Sequence, residues 1–266
     1  MRTGYLAICL LTVLISSCMW GKPGKKVPDI NRDTLAYKYT AFKQRAADCG
    51  NKADSDCTVA KFNYPDFKGQ KALNDTIAGK LLNMFQLGEK PDTSLATLTK
   101  NFMTDYISSK RGDGSSMFYA LDVNVKVLRQ DSSLTTLETN GYVFTGGAHP
   151  SSYTGFINWN TKADKSITLT DLFTPGNISK LEAVAERIFR KNEKLSDTAS
   201  LADNYFFKDN KFALNSNFSV TPTGLRFLYN QYEIKPYAAG TTELVIPYTQ
   251  IKSLLRPNSV VAQYIK

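Results

Sequence analysis

The sequence predicts an α+β fold: an antiparallel sheet with helices packed on it, in two closely packed subdomains. Three observations carry this. Strand-like alternation of apolar and polar residues recurs through the centre of the chain, in Phe118 to Leu128 and Leu134 to Phe144. Helical spacing appears on both sides of it, in Leu73, Ile77, Leu81, Leu82 and Phe85, and again in Leu181, Val184, Ile188 and Phe189. Strands and helices do not alternate as repeated βαβ units, which excludes a doubly wound sheet.

Taken in order, residues 58 to 67 (TVAKFNYPDF) read as a strand. The helical run from Leu73 follows and ends near Gly88. A second helix starts near Thr93, with Leu95, Leu98, Phe102 and Tyr106 on one face, and Gly112-Asp113-Gly114 breaks it. Phe118 to Leu128 and Leu134 to Phe144 flank the turn Gln130 to Ser133 and form a hairpin. Ser152 to Trp159 is a third strand, entered through Gly146-Gly147, and Lys162 to Lys165 is the turn after it. Ser179 and Glu182 have the spacing of a capping box. Leu201 to Phe207 reads as a short helix, and Val220 to Tyr229 and Tyr232 to Ile234 as strands. Pro247 opens a closing helix with Tyr248, Ile251, Leu254 and Leu255.

The N-terminus predicts an address. Arg2 precedes an almost wholly apolar run, Tyr5 to Ile15, and Ser16, Ser17 and Cys18 follow. This is the layout of a secretory leader over 1–17, and the run is shorter than the roughly 20 apolar residues of a membrane span. Ile15-Ser16-Ser17-Cys18 resembles the bacterial lipobox, which implies lipidation at Cys18 and an exported, membrane-anchored lipoprotein. Residues 18–35 then form a Gly-, Pro- and Lys-rich tether. Met19 follows the cysteine where an inner-membrane retention signal would place Asp, so an outer-membrane, periplasm-facing location is expected in a two-membrane cell.

Cys49 and Cys57 bracket a polar loop, and in an oxidising compartment the simplest use of such a pair is a disulfide. Two cysteines without a nearby histidine make a poor zinc set, so no metal and no cofactor are expected. The formal net charge is +9, and loss of Arg2 with the leader lowers it by one. That balance favours anionic partners at a membrane or wall surface, or serves solubility alone. Nucleic acid is excluded on compartment grounds.

Three stretches are similar to an extracellular domain pair found in the anti-sigma factor RsiV and beside the catalytic domain of the peptidoglycan deacetylase PdaC. They are Tyr142 to His149 (YVFTGGAH), Ile167 to Phe173 (ITLTDLF) and Tyr232 to Gly240 (YEIKPYAAG). The resemblance covers about residues 58–256. It implies an α+β envelope domain that binds, with catalysis residing in other modules. The break at Gly112-Asp113-Gly114 divides the chain into an N-terminal subdomain over 36–112 and an RsiV-like domain over 113–266. Pro150 stands where that family commonly has Gly, and a proline pushes His149 toward extended geometry.

The candidate binding residues are Gly146, Gly147, His149, Tyr232, Glu233 and Tyr237. His149 is the single histidine, which excludes a two-histidine metal site. It has either a general-base role or a structural one, fixing the strand entry. Gly146-Gly147 lacks the spacing of a phosphate loop and reads as a bend. Glu233 lies between Tyr232 and Tyr237, whose rings are suited to stacking on sugars, to a protein interface or to the core. The function expected is therefore a non-catalytic envelope lipoprotein that binds a wall-derived glycan or an extracellular protein. The alternatives are a lysozyme-binding inhibitor, which a basic chain would meet against charge repulsion, and a glycan or acyl hydrolase working through paired carboxylates.

Overall fold

The computed structural model describes residues 35–85, 92–112, 117–131 and 133–265. The predicted leader, Cys18 and the tether up to residue 34 lie outside the described residues. A first, six-stranded sheet contains β1 (Tyr37–Arg45), β2 (Val59–Phe67), β3 (Ala120–Gln130), β4 (Leu134–Phe144), β5 (Ser151–Asn160) and β6 (Lys165–Ser166), in that spatial order. All neighbours are antiparallel except β2 and β3, which run parallel with Val59 opposite Ala120. A parallel pair needs a crossover, and α1 (Lys71–Leu82) and α2 (Leu95–Gly112) lie between these two strands in sequence.

Each helix buries one stripe. Leu73, Ile77 and Leu81 of α1 and Leu98, Phe102 and Tyr106 of α2 recur every four residues and are buried, with Phe62, Val123, Val125, Leu137 and Trp159 in the same cluster. Full burial of each aliphatic or Phe side chain contributes about 1.5–3 kcal/mol. α1 ends at Leu82, ahead of Phe85, where the Asn83 amide and N–H both donate to Gly79 O.

The sheet and this core draw on both sides of the expected division at residues 112 and 113, because β2 and β3 are paired neighbours. A second core belongs to the C-terminal part. There β7 (Phe218–Val220), β8 (Gly224–Tyr229) and β9 (Thr242–Pro247) form an antiparallel sheet covered by α4 (Ile178–Asn192). Leu181, Ala185 and Phe189 of α4 meet Val220, Leu225, Phe227, Leu244 and Ile246 in that core. The short helices α3 (Leu169–Leu172) and α5 (Tyr248–Ile251) complete the fold.

Cys49 and Cys57 form the disulfide, with Cα atoms 5.3 Å apart and both residues buried. The loop it closes is tied to the sheet through Asp54, whose carboxylate lies 2.6 Å from Lys43 Nζ on β1 and 3.0 Å from Lys61 Nζ on β2. The Lys43 and Lys61 ammoniums hold that carboxyl at about 2.

Four local expectations are corrected. Ser179 does not cap α4: it is the second helical residue, and Asn177 occupies the cap position. The capping box belongs instead to Thr168 and Asp171 at α3. Leu201 to Phe207 is not a helix; Tyr205 and Phe207 pack edge-on to Phe189 from an irregular segment. Val220 to Tyr229 is a hairpin rather than one strand, turning at residues 221–223. Tyr232 to Ile234 is a turn, with Tyr232 at φ 65°.

Candidate functional site

The two sheets meet at their open edges, and asparagine side chains join them. On the free edge of β5, Thr154 N–H donates to Asn230 Oδ1 at 2.7 Å. Thr154 O accepts from Asn217 Nδ2 at 2.8 Å and from Asn230 Nδ2 at 3.0 Å. Phe156 N–H donates to Asn217 Oδ1 at 3.1 Å. One step further, Asn158 Nδ2 donates to Phe218 O at 2.7 Å while its Oδ1 accepts from Val220 N–H at 2.8 Å. A primary amide offers a donor and an acceptor in the spacing of a peptide group. Three of them therefore satisfy strand edges that would otherwise stand as unpaired templates.

This seam positions the candidate residues. Asn230 directly follows β8, and its N–H donates to Glu233 Oε2 at 2.8 Å. The other Glu233 oxygen accepts from Asn215 Nδ2 at 2.7 Å. Glu233 thus closes the turn at residues 231–233 and holds Tyr232 in its left-handed conformation, leaving the ring 56 % exposed. On the other side, Gly146 and Gly147 take φ of 89° and 95° in the loop between β4 and β5. Such angles cost a residue with a Cβ and not glycine, and this loop delivers His149 to the same place.

The rings converge. His149 stacks on Tyr237 with centroids 4.1 Å apart and planes 17° from parallel. Tyr232 and Tyr237 are 5.6 Å apart, centroid to centroid. Tyr232 Oη lies 3.2 Å from His149 Nε2, and His149 Nδ1 lies 3.3 Å from Pro150 O. Both contacts are satisfied by the tautomer with its proton on Nδ1, so that Pro150 O accepts and the Tyr232 hydroxyl donates. Five of the six residues singled out in the sequence therefore build or deliver one exposed aromatic cluster, and Glu233 braces it. The Tyr232 and Tyr237 rings belong to neither core, whereas Ile234 between them is buried in the C-terminal one.

Sequence reasoning missed a neighbour of the cluster. Phe206 is 55 % exposed, and its N–H donates to Ile234 O; a helix expected there would have tied that N–H up internally. Lys235, from the same segment, pairs with Glu193 at 2.7 Å beneath the surface, and Tyr205 donates its hydroxyl to that carboxylate at 2.8 Å. Burial, with the Glu193 carboxylate beside it, pushes the Tyr205 hydroxyl up to about 12. No three His, Cys, Asp or Glu side chains gather as a metal set among the described residues.

Comparison with known proteins agrees with the two-part build. Residues 51–152 match the family profile described as deacetylase PdaC, and residues 170–249 match a protein family of unknown function, DUF3298. No curated protein matches at significance. Among solved structures, a DUF3298 family protein from Pseudomonas aeruginosa PAO1 is 24% identical, with a TM-score of 0.68 over 85% of this chain and 96% of its own. A member of the same family from Bacteroides fragilis NCTC 9343 is 23% identical, with a TM-score of 0.68 over 88% of this chain and 99% of its own. The chain thus carries a PdaC-type region followed by a DUF3298-type region, and it shares its fold with solved DUF3298 family proteins.

Proposed function

We propose that this protein is a non-catalytic lipoprotein of the bacterial cell envelope, anchored through Cys18, whose aromatic cluster binds a wall-derived glycan. The pairing of PdaC-type and DUF3298-type regions suggests an accessory envelope protein. The observation that carries the ligand class is the His149–Tyr237 stack beside an exposed Tyr232. Sugar rings present C–H faces to aromatic planes, and rigid tyrosines bury area at little cost in side-chain entropy. The cluster offers stacking faces and hydroxyls, while its one carboxylate, Glu233, has both oxygens engaged in the turn. That arrangement suits holding a glycan rather than cleaving it, which takes two carboxyl groups flanking the bond.

The test is co-sedimentation with purified peptidoglycan, together with calorimetry on soluble wall fragments. Tyr237→Ala should weaken binding about tenfold, equivalent to about 1.4 kcal/mol, with the melting transition unchanged. Wild-type protein that neither binds wall fragments nor loses affinity on this change would end the glycan reading. Turnover of the fragments by the wild-type protein would overturn the non-catalytic part.

A further inference from the structure

A second feature lies on the helix side of the seam. A groove of about 380 Å³ opens between the end of α1, the edge of β5 and the start of β7. Its lining is mixed, with apolar Phe156 and Phe218 and polar Lys80, Asn83, Ser166 and Ser216. That volume lies within the range of small-molecule sites, which form preferentially where two domains meet.

Lys80 gives the groove its chemistry. The residue is half-buried, yet its ammonium meets no carboxylate among the described residues. Its Nζ lies 3.2 Å from the Tyr153 hydroxyl and 5.2 Å from the centre of that ring. Three other half-buried cations among the described residues do have carboxylate partners: Arg190 pairs with Glu186, Arg226 with Glu138 and Lys235 with Glu193. Lys80 is also held in place from below. Its chain crosses Gly155 so closely that a Cβ there would come within 2.7 Å of Lys80 Cε and 2.9 Å of Nζ. A glycine inside a strand marks such a close approach. The C-terminal end of α1 offsets part of the ammonium's charge, and no carboxylate among the described residues supplies the rest.

The geometry points to a carboxylate-binding site: this groove takes a small, hydroxyl- or amide-bearing organic carboxylate whose anionic group pairs with Lys80. The Tyr153 ring steers the ammonium, Gly155 makes room for it, and the Ser166 and Ser216 hydroxyls meet the ligand's polar edge. In a bacterial wall that chemistry has two sources, the lactyl ether of a muramic acid and the C-terminus of a stem peptide. The site stands apart from the aromatic cluster and does not rest on it.

Titration of the whole protein by NMR, using N-acetylmuramic acid, D-alanyl-D-alanine and the uncharged N-acetylglucosamine as probes, tests this. At least one carboxylate probe should shift the Lys80 and Tyr153 side-chain signals and bind about tenfold or more tightly than the neutral sugar, and the one that does identifies the source. Binding should weaken severalfold between about 0.05 and 0.5 M salt, as a charge contact requires. Lys80→Met should abolish it and Lys80→Arg should restore it. Gly155→Ala should weaken it with the lysine still present, because the ammonium is displaced. Tyr237→Ala should leave it intact, which separates failure of this site from failure of the aromatic cluster. Absence of shifts with both carboxylates would overturn the site. So would equal binding of the neutral sugar, or an unchanged affinity in Lys80→Met protein that melts like wild type.

Discussion

Within the six-stranded sheet neighbouring strands are joined by main-chain ladders, whereas the seam between β5 and β7 is joined by the side chains of Asn158, Asn217 and Asn230. A ladder tolerates substitution, because its bonds belong to the backbone of every residue. The seam does not, because each amide carries two or more bonds alone. The difference has a functional side. The seam residue Asn230 also receives Glu233 and so aims Tyr232, while β5, on the other side, continues from the loop that carries His149. Orientation of the aromatic cluster is thus set by three amides rather than by a sheet.

The largest expected effect breaks the seam at its most buried amide. Asn158 is 4 % exposed, and Asn158→Ala leaves Phe218 O and Val220 N–H without their partner, at about 2–4 kcal/mol for two buried backbone groups. Urea denaturation measures this; a midpoint equal to wild type would mean that water replaces the amide. The ladder side has its own staple for contrast. Replacing Cys49 and Cys57 by Ser opens a loop with a separation of 8 residues and should cost ~2.5 kcal/mol in the chain-entropy model. It should leave glycan binding intact, since the disulfide loop touches neither the seam nor the rings.

Asn230→Ala sharpens the comparison at intermediate cost. Loss of its bonds to Thr154 should destabilise by about 1–2 kcal/mol and weaken glycan binding as strongly as Tyr237→Ala. Binding that survives this change would show that the turn holds Tyr232 without the seam. The smallest effect is at the α3 cap. Burial works to raise the Asp171 carboxyl, but the Lys165 ammonium and the Thr168 N–H and hydroxyl outweigh it and hold the group down at about 2. A depressed carboxyl contributes stability that is fully present above its ordinary value of 3.8 and is lost as pH falls toward about 2. Asp171→Asn should therefore cost about 0.5–1 kcal/mol at neutral pH, discounted for solvent screening. Acid titration of both proteins should show the difference vanish near the bottom of that window.

Much of the fold was legible because its signals are local. The spacing of Leu73, Ile77 and Leu81 places α1, and alternation from Phe118 to Phe144 places the β3–β4 hairpin. Strand β1 was not foreseen: its inward and outward residues do not alternate cleanly, as suits an edge strand with most of its residues exposed. Tyr232 to Ile234 has strand propensity, yet it turns, because Glu233 folds back onto the N–H of Asn230 and β8 has by then run out of partners. The Ser179-x-x-Glu182 spacing matched a capping box that the chain realises eleven residues earlier, at Thr168-x-x-Asp171. A four-residue spacing rule cannot see which of two helix starts has its N–H groups open.

By itself, then, the sequence determined the α+β class, the helix faces, the central hairpin and the cysteine pair, all written in residues within one or two turns or pleats of each other. It also singled out the six residues of the aromatic site as individuals. Only the tertiary structure decided that His149 stacks on Tyr237 and meets Tyr232, 83 residues away along the chain, and that Lys80 crosses Gly155 to reach Tyr153. The reason is physical. These contacts form when two sheets bring their edges together, and that meeting depends on amides whose donor and acceptor carry no periodic signature in the chain.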